Sequence, residues 1–265
     1  MVYKEDISDL EVGKLDIDFR VAKTEEDQLG RLGVVTDRYR TEGYLDDIES
    51  FLTGEKISDL LASSGEEILK RDLDEDKYNK FIEHGLLVKT EANEEYYLDK
   101  YTWNSVPFVA KRGEEYLGSA RIIIRNGHGL PTYSDSRIEV TPEWRDKIKD
   151  CKAEFSQFAI KKGSPSGVSI GLLRAAHIYS RDELKIKYWI ATIDDRVVRL
   201  LNSSFFYFGL PQMGPGVNYL GSLSIPVLVD FEDALSSAEE HESSKKMARF
   251  IRGGKTEGFE WYTGI

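Results

Sequence analysis

The sequence predicts an α/β fold, a mixed central sheet flanked by helices, on three observations. Short apolar strands alternate with amphipathic helices along the chain. Residues 153–206 run strand, loop, helix, strand, helix, the order of an α/β layer whose ligands sit where strands end and helices begin. The longest apolar runs fall far short of the roughly 20 residues of a membrane span.

Each element has its own signal. Leu15 to Val21 (LDIDFRV) alternates apolar and polar residues like a half-buried strand. Thr24 then offers an N-cap with Asp27 three residues on, and Leu29, Leu32, Val35 and Tyr39 keep a helical period down to Gly43. From Asp46 to Glu95 the text turns to acidic amphipathic helices broken at Gly65 and Gly85, which predicts a helical insertion or cap on a single domain of residues 1–265. Ser105 to Ala110 and Tyr116 to Ile124 are apolar strands joined by KRGEE, a hairpin, and NGHGLPTYSD is a loop by its Gly, Pro and Asn content.

The strand AEFSQFAI (153–160) follows, then a loop to Gly167 and a helix over Gly171 to Ser180. Tyr188 to Ile193 is a continuous apolar strand, and Arg196 to Phe206 is a helix that Asp194 or Asp195 can cap. Ile225 to Val229 is the last strand. Phe231 to Arg252 is a polar helix, expected to be peripheral together with the tail to residue 265.

Composition narrows the function. The 265 residues carry 36 Lys and Arg against 47 Asp and Glu, a net charge of −11, which disfavours nucleic acid because phosphate contacts need a cationic surplus. One cysteine, Cys151, cannot form an internal disulfide, and four histidines without ligand spacing disfavour a metal site. The N-terminal MVYKEDISDLEVGK is too charged for a signal peptide, so a cytoplasmic protein without a membrane span is expected.

The residues also point to a ligand. Lys161, Lys162, Gly163 and Gly167 precede a helix, where free backbone N–H groups and the positive dipole end suit a phosphate-bearing molecule. G-x-x-x-x-G-K-[ST] and G-x-G-x-x-G are both absent, which disfavours a nucleoside triphosphate or dinucleotide. Glu154 and Ser156 share one face of their strand, as either a site or the solvent side of an edge strand would require. His128, His177, Ser180 and Asp182 lack a nucleophile elbow and make no triad, and Cys151 has no activating motif.

Four stretches, in order, carry a resemblance: DRYRTEGYL (37–45), YYLDKYTW (96–103), YLGSARIIIRNGHGLPTY (116–133) and AEFSQFAI (153–160). They resemble the Arg-x-x-x-Phe helix, Asp-x-Tyr-Asp stretch, Gly-x-x-Arg-Leu strand and Glu-x-Ser-Arg-Phe strand of the acyl-homoserine-lactone (autoinducer) synthases and their relatives the N-acyl amino acid synthases. These are acyltransferases of the GCN5-related fold. The likeness covers roughly residues 15–232, and the 171–209 and 219–230 runs look closer to the N-acyl amino acid synthase branch.

The resemblance implies direct transfer of a fatty acyl group from a phosphopantetheine thioester to an amine, with acyl carrier protein as donor and partner, no permanently bound cofactor and no metal. It implies an acceptor pocket of Arg38, Asp99, Arg121 and Gln157, with Glu154 taking the amine proton, Ser156 beside it and a backbone N–H near Phe158 steadying the oxyanion. Burial would raise the Glu154 pKa towards a useful range. The thioester arm would lie between splayed strands 155–160 and 188–193, met by Phe158, Ile160, Lys161, Lys162, Gly163, Gly167 and Arg174. Arg174, Lys185 and Lys187 extend the basic face towards an acidic carrier, and the acidic 46–95 helices are expected on the far side from it. Gln157 stands where the family has arginine, and Thr102 where it has a second aspartate. An ordinary amino acid or primary amine is therefore the expected acceptor, rather than a lactone-forming S-adenosylmethionine. A coenzyme A-dependent N-acetyltransferase or acyltransferase, and a non-catalytic acyl-binding module, are the alternatives.

Overall fold

The computed structural model describes residues 17–254 apart from 47, 49, 53–56, 63, 91–92, 166 and 220–221. The first residues of the strand expected from Leu15, the N-terminal MVYKEDISDLEVGK and the tail 255–265 lie outside the described residues. Strand β1 (Asp18–Val21) leads into helix α1 (Glu25–Thr41). The helix starts where the sequence predicts, because the Asp27 N–H donates to Thr24 Oγ1 at 3.1 Å and Glu25, Glu26 and Asp27 place negative charge on its positive end.

The segment expected to be purely helical is mixed. Strand β2 (Ser50–Leu52) precedes helices α2 (Ile57–Leu61), α3 (Gly65–Asp72) and α4 (Glu75–His84), and strands β3 (Leu86–Lys89) and β4 (Glu95–Leu98) follow. Asp74 caps α4, and Gly85 at φ +82° stops it, so Leu86 and Leu87 pair with β4 instead of extending the helix. The three strands form a small sheet in the order β2-β3-β4.

The antiparallel pair β5 (Ser105–Arg112) and β6 (Glu115–Ile124) is the expected hairpin. Short helices α5 (Pro131–Ser134) and α6 (Pro142–Ile148) each begin on a proline, whose fixed φ and missing N–H suit a first turn. Then come β7 (Ala153–Ile160), α7 (Gly167–Asp182), β8 (Tyr188–Asp194), α8 (Asp195–Leu201), β9 (Val217–Tyr219) and β10 (Ser222–Asp230). Asp194 caps α8, which ends at Leu201 rather than running to Phe206. The chain closes with α9 (Phe231–Glu239) and α10 (Glu242–Ile251).

The main sheet has seven strands in the order β1-β5-β6-β7-β8-β10-β9. Every neighbouring pair in it is antiparallel except β7 and β8. Its inner face packs on α7, α9 and α10 through Phe19, Phe108, Leu117, Ile122, Trp189, Val227, Leu235 and Phe250. The opposite face carries Ile123, Leu130, Ile138 and Ile190, with Ala159 against Val35 of α1 and Leu87 and Tyr97 of the small sheet. The 231–252 region is therefore two helices with an apolar side in the main core, not one peripheral helix. Ala234, Leu235, Ala238, Met247 and Phe250 are buried, and the polar residues that dominate its text lie on the other side.

Helix α7 approaches the sheet through a glycine. A Cβ on Gly171 would sit 2.2 Å from the Phe19 ring, which is fully buried and cannot swing away. Gly171→Ala is therefore expected to cost about 1–3 kcal/mol in urea unfolding, and Phe19→Leu in the same chain is expected to recover part of that loss.

Candidate active site

The parallel strands β7 and β8 meet in one register pair, Glu154 with Ile190. Beyond it β8 stays bonded to β10 and β7 stays bonded to β6, so the two strands part. A cavity of about 290 Å³ occupies the opening and is lined from both faces of the sheet. At its inner end are Phe155, Leu173, Trp189, Leu201, Phe208, Leu210 and Phe231. Phe155 stacks on Trp189 at 4.8 Å, and Phe231 meets the edge of that indole at 4.2 Å. At its outer end are Tyr97, Asp99, Tyr101, Arg121, Asp135, Glu154, Ser156, Gln157, Thr192 and Tyr219. One end suits a hydrocarbon and the other a polar reactant.

The backbone of β7 sets which side chains face outward. The register slips between Ser119 and Arg121 of β6, so Ala159 faces Ser119 and Ser156 faces Arg121, with Gln157 at φ +47°. Strict alternation would send Gln157 to the inner face with Phe155. The bulge instead turns it outward beside Ser156, where its Oε1 accepts from Arg31 of α1, and Phe158 takes the inward place against Phe155. A left-handed backbone at a residue with a side chain is held only by the structure around it.

Glu154 is 3% exposed and is gripped by Thr132 of α5, whose N–H and Oγ1 both lie 2.8 Å from its carboxylate oxygens. Thr192 continues the chain at 2.7 Å from Thr132 Oγ1. Burial pushes the carboxyl up to about 8 against these donors and the Arg121 charge. The rise anticipated from the sequence is present.

Asp99 and Arg121 form a two-pronged ion pair at 2.8 and 2.5 Å. Burial works to neutralise both, yet each partner outweighs it, holding Asp99 below the ordinary carboxyl range and Arg121 above the ordinary guanidinium range. The Tyr101 N–H and the Thr102 hydroxyl fasten the Asp99 side chain from the other side, at 3.0 and 3.4 Å.

Several residues expected at the site lie elsewhere. Arg38 is on the outer surface, paired with Glu42 at 2.5 Å, and is not among the cavity residues. The buried arginine of α1 is Arg31, seven residues or about 10 Å earlier along the helix axis, which places it behind Gln157. Arg174 faces away from the cavity and donates to the carbonyls of Phe250 and Gly254, both at 2.8 Å, as an anchor for the end of α10. Ile160 packs against the main core, and Lys161 is 2.8 Å from Glu115. Lys162 is exposed beside the turn at Gly163 (φ +85°), and Gly167 is the buried first residue of α7. Lys185 donates to the Asp182 carbonyl. Ile82, Glu83 and His84 of the acidic segment lie on the rim of the cavity.

Thr132, Thr192 and Arg31 are absent from the sequence-derived set. Arg31 had a signal, a cation in the apolar stripe of Leu32 and Val35. Thr132 had none, because only the fold brings α5 to β7.

Residues 77–227 match the family model described as N-acyl amino acid synthase FeeM. The solved structure of FeeM, an N-acyl amino acid synthase from uncultured soil microbes, aligns over 83% of this chain and 94% of its own, with 17% identity and a TM-score of 0.52. That likeness shows the fold. The AHL synthase LasI aligns over 83% and 95% of the two chains, with 11% identity and a TM-score of 0.47. The CoA-dependent acyl-homoserine lactone synthase BjaI, with SAM and isopentyl-CoA, aligns over 74% and 83%, with 13% identity and a TM-score of 0.43. No curated protein matches in sequence.

The buried pair yields a test of the electrostatics. Asp99→Asn leaves Arg121 without its counter-charge and is expected to cost about 3–5 kcal/mol in chemical unfolding. The double variant Asp99→Leu with Arg121→Met, which removes both charges, is expected to be less destabilised than either single one.

Proposed function

The chain belongs to the N-acyl amino acid synthase FeeM family and is an N-acyltransferase, and from that premise we propose that it moves a fatty acyl group from the thioester of acyl carrier protein to the amine of an amino acid. The single observation that carries this reading is the cavity through the sheet, hydrocarbon-lined at one end and polar at the other, opening where β7 leaves β8.

The thioester arm lies in that gap, bonded to the strand backbones as an added strand would be. Its acyl tail runs inward along Trp189, Phe208, Leu210 and Phe231. The amine approaches from the outer end, between Glu154 and Ser156, and its nitrogen attacks the thioester carbonyl. Glu154 takes the amine proton, and its raised affinity for protons suits that task. The backbone N–H at Phe158, in the bulge, donates to the oxyanion, a contribution of roughly 3 kcal/mol. The C–N bond forms, the C–S bond breaks, and the thiol leaves carrying a proton. Arg121 and Asp99 hold the polar wall as a neutral pair. Lys161 is engaged by Glu115 and Arg174 by the end of α10, so neither serves as a clamp for the phosphate that carrier-bound and free coenzyme A donors both bear.

Acyl-loaded carrier protein incubated with the chain and the twenty amino acids is expected to lose its acyl mass while an N-acyl amino acid accumulates. Consumption of acyl-coenzyme A with the carrier left loaded would overturn the donor assignment, and consumption of neither would overturn the function.

The pH profile tests Glu154. Only the carboxylate accepts a proton, so kcat/KM is expected to fall about tenfold per pH unit below about 8 and to lose that inflection in Glu154→Gln. Folding carries the opposite sign. Because the folded carboxyl sits above its ordinary value of 4.5, the stability it contributes is full below 4.5 and lost as pH climbs through about 8.

A further inference from the structure

Glu154 begins a chain of hydroxyls that leads back to the cavity. Its Oε2 accepts from the Thr132 N–H and its Oε1 meets Thr132 Oγ1, both at 2.8 Å, and Thr132 Oγ1 lies 2.7 Å from Thr192 Oγ1. Glu154 stands on β7 and Thr192 on β8, so Thr132 of α5 spans the two parted strands. Thr132 is fully buried, whereas Thr192 is half-buried and lines the cavity. Thr192 lies two residues past Ile190, the ladder partner of Glu154, and the period of a strand turns it to the same outer face as Ile190. It therefore flanks the opening on the β8 side, as Glu154 and Ser156 flank it on the β7 side.

A hydroxyl has one hydrogen to give, which leaves this chain two arrangements. With Glu154 ionised, Thr132 spends its hydrogen on Oε1 and must accept from Thr192, so Thr192 shows the cavity only lone pairs. With Glu154 protonated, the Thr132 N–H keeps Oε2 an acceptor and the acid proton sits on Oε1, facing Thr132 Oγ1. Thr132 then donates to Thr192, whose hydrogen turns into the cavity. The charge of Glu154 thus decides whether Thr192 can receive a proton or give one. Acyl transfer needs a giver at this place, because the thioester sulfur leaves as an anion between buried strands, where an unpaired charge is costly. Glu154, 3% exposed, must also shed the proton it has taken before it can serve again.

We propose that Thr192 is the acid that protonates the departing sulfur, and that Glu154 resupplies it through Thr132, so that a proton crosses the parted strands in every turnover. The inference rests on the acyl-transfer reading and goes beyond it in assigning the proton's way out. The amine nitrogen attacks the thioester carbonyl and gives its proton to Glu154. The hydroxyl hydrogens turn, and the C–S bond breaks with its electron pair on sulfur. Protons then move in step from Glu154 to Thr132, from Thr132 to Thr192 and from Thr192 to sulfur. Amide and thiol result, Glu154 is again a carboxylate, and both hydroxyls point back towards it with nothing drawn from solvent. Thr192 is the catalytic residue, and Thr132 is a positioning residue that holds Glu154 and carries the proton.

The test compares two donors of the same fatty acyl group, its pantetheine thioester and its nitrothiophenol thioester, whose thiol is acidic enough to leave without a proton. With the pantetheine donor, Thr192→Val is expected to lower kcat by about 100-fold, the scale of acid catalysis, and Thr192→Ser, which keeps the hydroxyl, to recover most of the loss. With the aryl donor, Thr192→Val is expected to lose less than about threefold. Thr132→Val keeps the N–H on Glu154 but breaks the chain, and should show the same dependence on donor. A folded Thr192→Val slowed equally with both donors, or with neither, would overturn the relay and leave acyl transfer standing. Should either valine variant fail to fold, the other decides. A wild type that acylates no amine from any thioester, carrier-bound donor included, would overturn the acyl-transfer reading and the relay with it. If the wild type accepts only the pantetheine thiol, rates in mixtures of light and heavy water decide. A curved dependence on the deuterium fraction that becomes linear in Thr192→Val supports the relay, and the same form in both overturns it.

Discussion

The parting of β7 from β8 after the Glu154–Ile190 pair is the constraint on which the rest of the structure depends. Two strands leaving a ladder expose backbone groups and open a hole in a sheet that would otherwise be closed. Both strands are secured on their far sides, β7 by β6 and β8 by β10, so the opening does not loosen the fold. The β7 bulge adds to it by bringing Gln157 to the face that Glu154 and Ser156 already share, a concentration of polar groups that an unbroken strand cannot present. A passage between the two faces of the sheet follows, with hydrocarbon at one end and charge at the other.

Burial then sets the chemistry of that polar end. Asp99 and Arg121 remain charged because each is the other's partner at hydrogen-bond distance, whereas Glu154, whose neighbours are threonines, has its carboxyl raised. Two carboxyls on the same wall therefore differ in protonation at neutral pH. One is a fixed anion in a pair, and the other is a group able to take up and release a proton in the working range. Arg31 completes the set as a buried cation with no carboxylate partner among the described residues.

Much of this was legible in the text. Period-two alternation, continuous apolar runs, turn residues and cap residues located β1, α1, the β5–β6 hairpin, β7, β8 and β10, because those signals are local. Glu154 was legible for the same reason, being polar in an otherwise apolar strand. Gln157 was named but its direction was not, since a bulge depends on the neighbouring strand and not on the residue's own alternation. Arg38 was preferred to Arg31 because a motif was matched in register, while the site depends on distance along the helix. Strands β2 and β3 are three and four residues long and too short to outweigh the charged helical pattern around them. The buried side of α9 and α10 was hidden by the polar residues of the opposite side. Thr132 was invisible because the contact that matters, to Glu154, spans 22 residues and exists only when α5 folds over the sheet.

The most direct measurement of the account is a structure with a thioether analogue of an acyl-pantetheine arm, which cannot react. The account predicts the arm between β7 and β8 with its amides bonded to their backbones, the acyl chain against Trp189 and Phe231, and the carbonyl position within reach of Glu154. An acyl chain lying outside the sheet, with the cavity between the strands closed or empty, would contradict it.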